Sequence, residues 1–139
     1  MRIATRDDYD ELHRQFRWHV PERFNIAQVC CARWAGDARR TAIVVDHGDG
    51  RVERFAYRRL HEDADRLASA LGALGVRRGD RVAIVLPQRP EAAVAHIAVY
   101  RLGAVAMPLS ILFGPQALQY RLEDSQCSAA IVDAECLPN

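Results

Sequence analysis

A buried strand that runs straight into the start of a helix constrains this chain more than any other segment, and it lies between Arg78 and Glu91. Val82 to Leu86 is a continuous apolar run rich in β-branched residues, suited to a strand covered on both faces, and Pro87 stops it. Pro90 then supplies the fixed φ of a first helical position, and Glu91 places negative charge in the first turn, where the helix dipole favours it. The connection is closed by two prolines and contains no glycine, so it reads as scaffold more than as a ligand loop.

Apolar periodicity extends this unit in both directions. Tyr57, Leu60, Ala64, Leu67, Leu71 and Leu74 recur at three- and four-residue spacing, which predicts a long amphipathic helix ended by Gly75. Ala42 to Val45 and Val52 to Phe55 read as strands of a hairpin, joined through His47-Gly48-Asp49-Gly50. That Gly-x-Gly is a turn, since no third glycine or helix follows at the spacing of a nucleotide fingerprint. Pro90 to Leu102 reads as a helix with almost no polar face, Ala104 to Met107 as a buried strand, Pro115 to Glu123 as a helix and Ala129 to Val132 as the last strand.

Strands alternating with helices predict an α/β fold: a mostly parallel sheet with helices on both faces and an early β-hairpin. Residues 1–24 read as an N-terminal arm, with a short polar helix from Asp7 to Phe16 and aromatics Trp18 and Phe24 holding the segment to the body. Residues 25–139 read as one α/β subdomain, opened by a helix that Asn25 caps and Gly36 ends, with Ile26, Val29, Cys30, Arg33 and Trp34 on one face. At 139 residues the chain holds one core, burying roughly 68% of its unfolded surface. The wholly apolar Pro90 helix needs cover on more sides than so small a domain supplies, so the domain reads as an incomplete part of a larger one, poorly soluble alone.

The net charge of +1 supplies no field for nucleic acid, and no apolar run is long enough for a membrane span. With no signal-peptide pattern near Met1, a cytoplasmic location is the default expectation. All 19 basic residues are arginine, so chemistry that requires a lysine must come from elsewhere. Cys30, Cys31, Cys127 and Cys136 lack metal-ligand spacing and read as ordinary thiols. His96 has no acidic or nucleophilic neighbour on its helix and reads as a satisfied buried or interface histidine. Asp80 is expected to pair with Arg78 and Arg81, and Glu62, Asp63, Asp65 and Arg66 to form a solvated helix face. Ser110 and Ser125 lack a nucleophile-elbow context.

Four segments in order resemble the opening of the AMP-dependent acyl-CoA synthetases and ligases, the adenylate-forming superfamily. They are Phe55 to Leu60, Gly79 to Glu91, Arg101 to Leu109 and Tyr120 to Ser125. Phe16-Arg17-Trp18 and Arg23 to Ala27 further resemble the arm of the medium-chain acyl-CoA synthetase branch. The resemblance implies an N-terminal portion of an enzyme that activates a carboxylic acid, by the arm a medium-chain fatty acid, with ATP to an acyl-adenylate and transfers it to CoA. It implies ATP, Mg2+ and CoA for the whole enzyme, none bound by this chain alone, since the family's Ser/Thr/Gly-rich phosphate loop and its lysines have no counterpart here. The implied partner is the remainder of the synthetase. Leu109 to Gly114 leaves the C-terminal end of a strand, where open sheets place ligands, and in similar synthetases Leu112 matches a position near the CoA tunnel. With no polar side-chain group, Leu112 would contribute apolar packing or a backbone contact. The competing reading is a non-catalytic structural or interaction module derived from such an enzyme; a small Rossmann-like nucleotide-binding domain is weaker, for want of a glycine fingerprint.

Overall fold

A computed structural model describes residues 9–134. Its centre is β3 (Arg81–Val85), paired in parallel with β4 (Val105–Pro108) on one side and β5 (Ala129–Val132) on the other. The apolar run expected to be covered on both faces is so covered, with Val82, Ala83, Ile84 and Val85 all buried. The two crossovers step in opposite directions from and across β3. Right-handed connections of that kind carry α4 (Pro90–Arg101) and α5 (Pro115–Asp124) to opposite faces of the sheet.

On the first face, Val82 and Ile84 meet Leu71 of α3 (Tyr57–Ala73), Ala95 and Val99 of α4, and Ala106, Ala129 and Ile131 of the flanking strands. α3 and α4 touch through a seam of small residues, Ala64 and Ala68 against Ala98, which lets the backbones approach. This seam explains why α4 is apolar all round. It is covered by α3 on one side and by the sheet on another, and its first turns line a cleft. The hairpin of β1 (Thr41–Asp46) and β2 (Val52–Ala56) forms as an antiparallel pair. Gly48 and Gly50 take positive φ in its turn, and the Asp46 and Asp49 carboxylates accept the backbone N–H groups of Gly48 and Arg51.

The helix ends show what the arginines do. At α3 the Val76 N–H donates to Leu71 O and the Gly75 N–H to Gly72 O, a Schellman motif in which Val76 also packs on Leu71. The same pair of bonds ends α4 at Gly103 and α5 at Gln126. Arg77 donates to Gly72 O and Val76 O at the end of α3, and Arg81 to Ser125 O and Gln126 O at 2.8 Å each at the end of α5. Arg58 does so for Ala35 O and Gly36 O. Cations suit the negative end of a helix. The expected pairing of Asp80 with Arg78 and Arg81 is therefore corrected: the Asp80 carboxylate accepts the Arg77 backbone N–H at 2.7 Å, while Arg81 is committed to α5.

Gln126 holds φ 51° at a position where α3 and α4 use glycine. A left-handed L-residue costs roughly 1–2 kcal/mol, partly offset by the extra backbone entropy that glycine loses. Gln126→Gly is expected to raise stability by about 0.5–1 kcal/mol, read as a higher urea midpoint at unchanged m; a lower midpoint would contradict the account.

The polar helix forms as α1 (Tyr9–Gln15), and its expected start at Asp7 lies outside the described residues. Three further expectations are corrected. Trp18 is 83% exposed and Phe24 62%, so aromatics do not hold this segment down. The attachment is instead Asn25, whose Oδ1 accepts the Gln28 N–H at 3.2 Å as a helix cap and whose Nδ2 donates to Tyr100 O of α4 at 2.8 Å. The helix Asn25 opens is also shorter than expected. α2 (Ile26–Cys30) ends at Cys31, and a separate 3-10 turn follows over Ala32–Trp34. The buried residues are Ala27, Cys31 and Ala35, one step round from the face of Ile26, Val29 and Cys30. Small side chains pack closest to the body, and the larger ones are left outside.

Candidate functional site

The C-terminal ends of β3 and β4 open into a cleft of about 570 Å³, the position at which open parallel sheets bind ligands. Ile84 and Leu86 form its floor, Pro108 and Leu109 one side, Ala92, Ala93 and His96 of α4 another, and Ile43, Val44 and Val45 of the hairpin the opposite wall. The ladder outlasts β4, since the Leu109 N–H donates to Ile84 O at 2.9 Å. Pro90 stands at the first helical position with Arg89 extended before it, so the connection turns sharply and α4 begins at the rim.

Charge at this rim is satisfied internally. The Arg89 guanidinium lies 2.8 Å from the Glu91 carboxylate and 2.8 Å from that of Asp133, just past β5. It ties the β3–α4 connection to the end of the neighbouring strand. Hydrogen bonding from Arg89 holds the Glu91 carboxyl below its usual range. A carboxylate with a depressed folded-state pKa stabilises above its unfolded pKa, and that contribution is lost as pH falls through the folded value. Since Arg89 and Glu91 are exposed, the effect is small and screened by salt.

His96 is the polar group set into the apolar wall. Its Nδ1 lies 2.8 Å from Ala92 O, which fits an Nδ1–H donor and leaves Nε2 as an acceptor in the neutral ring, while the ring tilts against Tyr100. No carboxylate pairs with it among the described residues. A histidine so satisfied can orient a ligand, yet it lacks the partner that a general base needs. Sequence reasoning found His96 but not the cleft it lines, because the opposite wall comes from a hairpin some fifty residues upstream in the chain. A polar ring in an otherwise apolar helix was the available signal.

Leu112 lies outside this cleft, 87% exposed, in a turn where its N–H donates to Ser110 Oγ at 3.1 Å. Phe113 beside it is covered by the Arg121 guanidinium, 4.2 Å above the ring. Cys31 is fully buried; burial first, then the Asp65 charge, pushes its thiol pKa up, so it stays protonated and unreactive. Asp65 corrects the solvated-face expectation, since its carboxylate lies 2.8 Å from Arg101 and links α3 to α4. Cys136 lies outside the described residues. Among the described residues, no three His, Cys, Asp or Glu side chains are grouped to hold a metal ion, and no helix is long and apolar enough to cross a membrane.

The family model described as AMP-binding enzyme matches residues 31–139. The acetyl-coenzyme A synthetase of Syntrophus aciditrophicus is 38% identical over 125 residues, 88% of this chain and 19% of that protein. That of Halorhodospira halophila is 41% identical over 137 residues, 95% of this chain and 21% of that protein. Among solved structures, the anthranilate CoA ligase AuaEII in complex with anthranoyl-AMP is similar with a TM-score of 0.74 and 26% identity, over 86% of this chain and 22% of that one. The chain thus spans about a fifth of the length of the curated relatives it matches.

Proposed function

This chain belongs to the AMP-binding enzyme family, and from that membership we propose that it is the N-terminal portion of an acid-CoA ligase. The whole protein would activate a carboxylic acid with ATP to an acyl-adenylate and pass the acyl group to CoA. The observation that carries this reading is the family match over residues 31–139, supported by the fold likeness to a CoA ligase solved with its acyl-adenylate. Within it, the residues described here form the framework: the parallel core, the closed Pro87–Pro90 connection and the cleft wall. The residues described offer no carboxylate cluster fitting Mg2+, and the chain has no lysine for an adenylating step, so ATP, Mg2+ and the chemical step are assigned to the remainder of the protein.

The substrate is a carboxylic acid whose chain length two features read differently. Phe16 to Trp18 and Arg23 to Ala27 support a medium-chain fatty acid, while the names of the relatives support acetate. Acid-dependent ATP–pyrophosphate exchange tests both levels. The 139-residue chain alone is expected to give none, and the full-length protein to give exchange with one of acetate or octanoate in clear preference. Exchange by the isolated chain would overturn the assignment of chemistry to the remainder. A full-length protein without exchange would favour a non-catalytic module instead.

Leu112 is proposed as an apolar contact on the CoA side, a role supported by its exposure just beyond the C-terminal end of β4. In the full-length enzyme, Leu112→Asp is expected to raise KM for CoA about tenfold, about 1.4 kcal/mol, with KM for ATP unchanged. Equal effects on both would remove Leu112 from the CoA path.

A further inference from the structure

The opposite end of the sheet carries a second groove, of about 780 Å³, between the segment before α2 and the end of α4. It lies before β3 and β4 begin, so the sheet separates it from the cleft at the strands' C-terminal ends. Three arginines line it, Arg23, Arg78 and Arg101. Arg101 is paired with Asp65 at 2.8 Å. Arg23 and Arg78 have neither an ion pair nor a hydrogen bond among the described residues. Glu22 also lines the groove, which leaves it one net positive charge: three arginines against Asp65 and Glu22.

Arg78 is unpaired for a structural reason. Its neighbours Arg77 and Arg81 donate to the last carbonyls of α3 and α5, and Arg78 lies beside the end of α4. At that end, however, the Gly103 and Ala104 N–H groups donate to Tyr100 O and Val99 O, and Asn25 Nδ2 donates to Tyr100 O as well. At this helix end Asn25 supplies the side-chain donor that arginines supply at α3 and α5. The Arg78 stem lies against Gly103: a Cβ at residue 103 would lie 3.1 Å from Arg78 Cγ, so the glycine makes room for it. Two arginines without an internal acceptor line this one concave groove, and guanidinium N–H groups suit an oxyanion.

The geometry points to an anion-binding site at Arg23 and Arg78 for a phosphate group of a small molecule, distinct from the cleft at the strand ends. The concave shape favours a small anion over an extended acidic segment of a protein, which would fit a flatter face. The test is a titration of inorganic phosphate into the selectively 15N-labelled full-length protein, followed by the backbone amide shifts of Asn25, Arg78 and Gly103. Saturable shifts at these amides are expected. Arg23→Gln with Arg78→Gln should weaken them at least tenfold, while Arg39→Gln with Arg54→Gln, which removes two arginines outside the groove, should leave them unchanged. Because Arg23 and Arg78 are exposed, an unchanged thermal midpoint should accompany the loss. Shifts that do not saturate, or that survive the Arg23 and Arg78 substitutions, would overturn the site. Tighter binding of a glutamate-rich peptide than of phosphate at the same amides would overturn the small-anion assignment and mark the groove as a protein-docking surface.

Discussion

Leu71→Ala is expected to cost about 2–5 kcal/mol, while Leu74→Ala, three residues on in the same apolar spacing, should change stability by no more than about 0.5 kcal/mol. Leu71 is buried among Val76, Val82, Ile84 and Val99, and it also carries the carbonyl that accepts Val76 N–H in the motif ending α3. Removing its side chain leaves a cavity under the sheet and takes away the apolar contact that accompanies that motif. Leu74 is 80% exposed at the helix cap. Urea denaturation of the two variants measures the difference directly. Equal midpoints would mean that α3 packs through a different face.

Asn25→Ala is expected to lose about 2 kcal/mol, twice the cost of a lost helix cap alone. About 1 kcal/mol comes from the cap on Gln28, and about as much from the bond to Tyr100 O, which leaves a helix-end carbonyl with one donor fewer. Asn25→Ser separates the two contributions, since a serine caps as well as asparagine but cannot reach α4. It should recover about half of the loss. Full recovery by serine would show that the bond to Tyr100 adds nothing. The attachment also keeps the wall of the arginine-lined groove against α4, so the alanine variant should weaken phosphate binding there as well.

Legibility in the sequence differed by kind of feature. The β3 run, the two prolines and the glycines ending α3 and α4 were read correctly because each acts through its own backbone: a φ value, a missing N–H or a left-handed residue. The face of α2 was not. Its larger residues have helical spacing, but the contact is made by Ala27, Cys31 and Ala35, and which side of a short helix turns inward depends on how close its neighbour comes. Charges were read least well. Asp80 and Arg81 were assigned to each other and Asp65 to a solvated face, yet Arg81 reaches the end of α5 forty-four residues away and Asp65 reaches Arg101 on α4. Exposed ion pairs are weak enough that packing geometry chooses among several near-equal partners.

The candidate site divides in the same way. Placing a ligand region beyond the strand ends followed from the alternation of strands and helices, and a cleft is found there. That His96 and the hairpin residues Ile43 and Val44 form its walls could not be read from spacing. By itself, then, the sequence determined the order of strands and helices, where α3 and α4 stop, the family, and the absence of lysine chemistry from this chain. Tertiary structure alone decided which helix ends the arginines cap, which arginines line the groove without an acceptor, and which walls enclose the cleft. Local backbone preferences are settled within a few residues, whereas a guanidinium's partner or a cavity's shape exists only once segments distant in the chain are packed together.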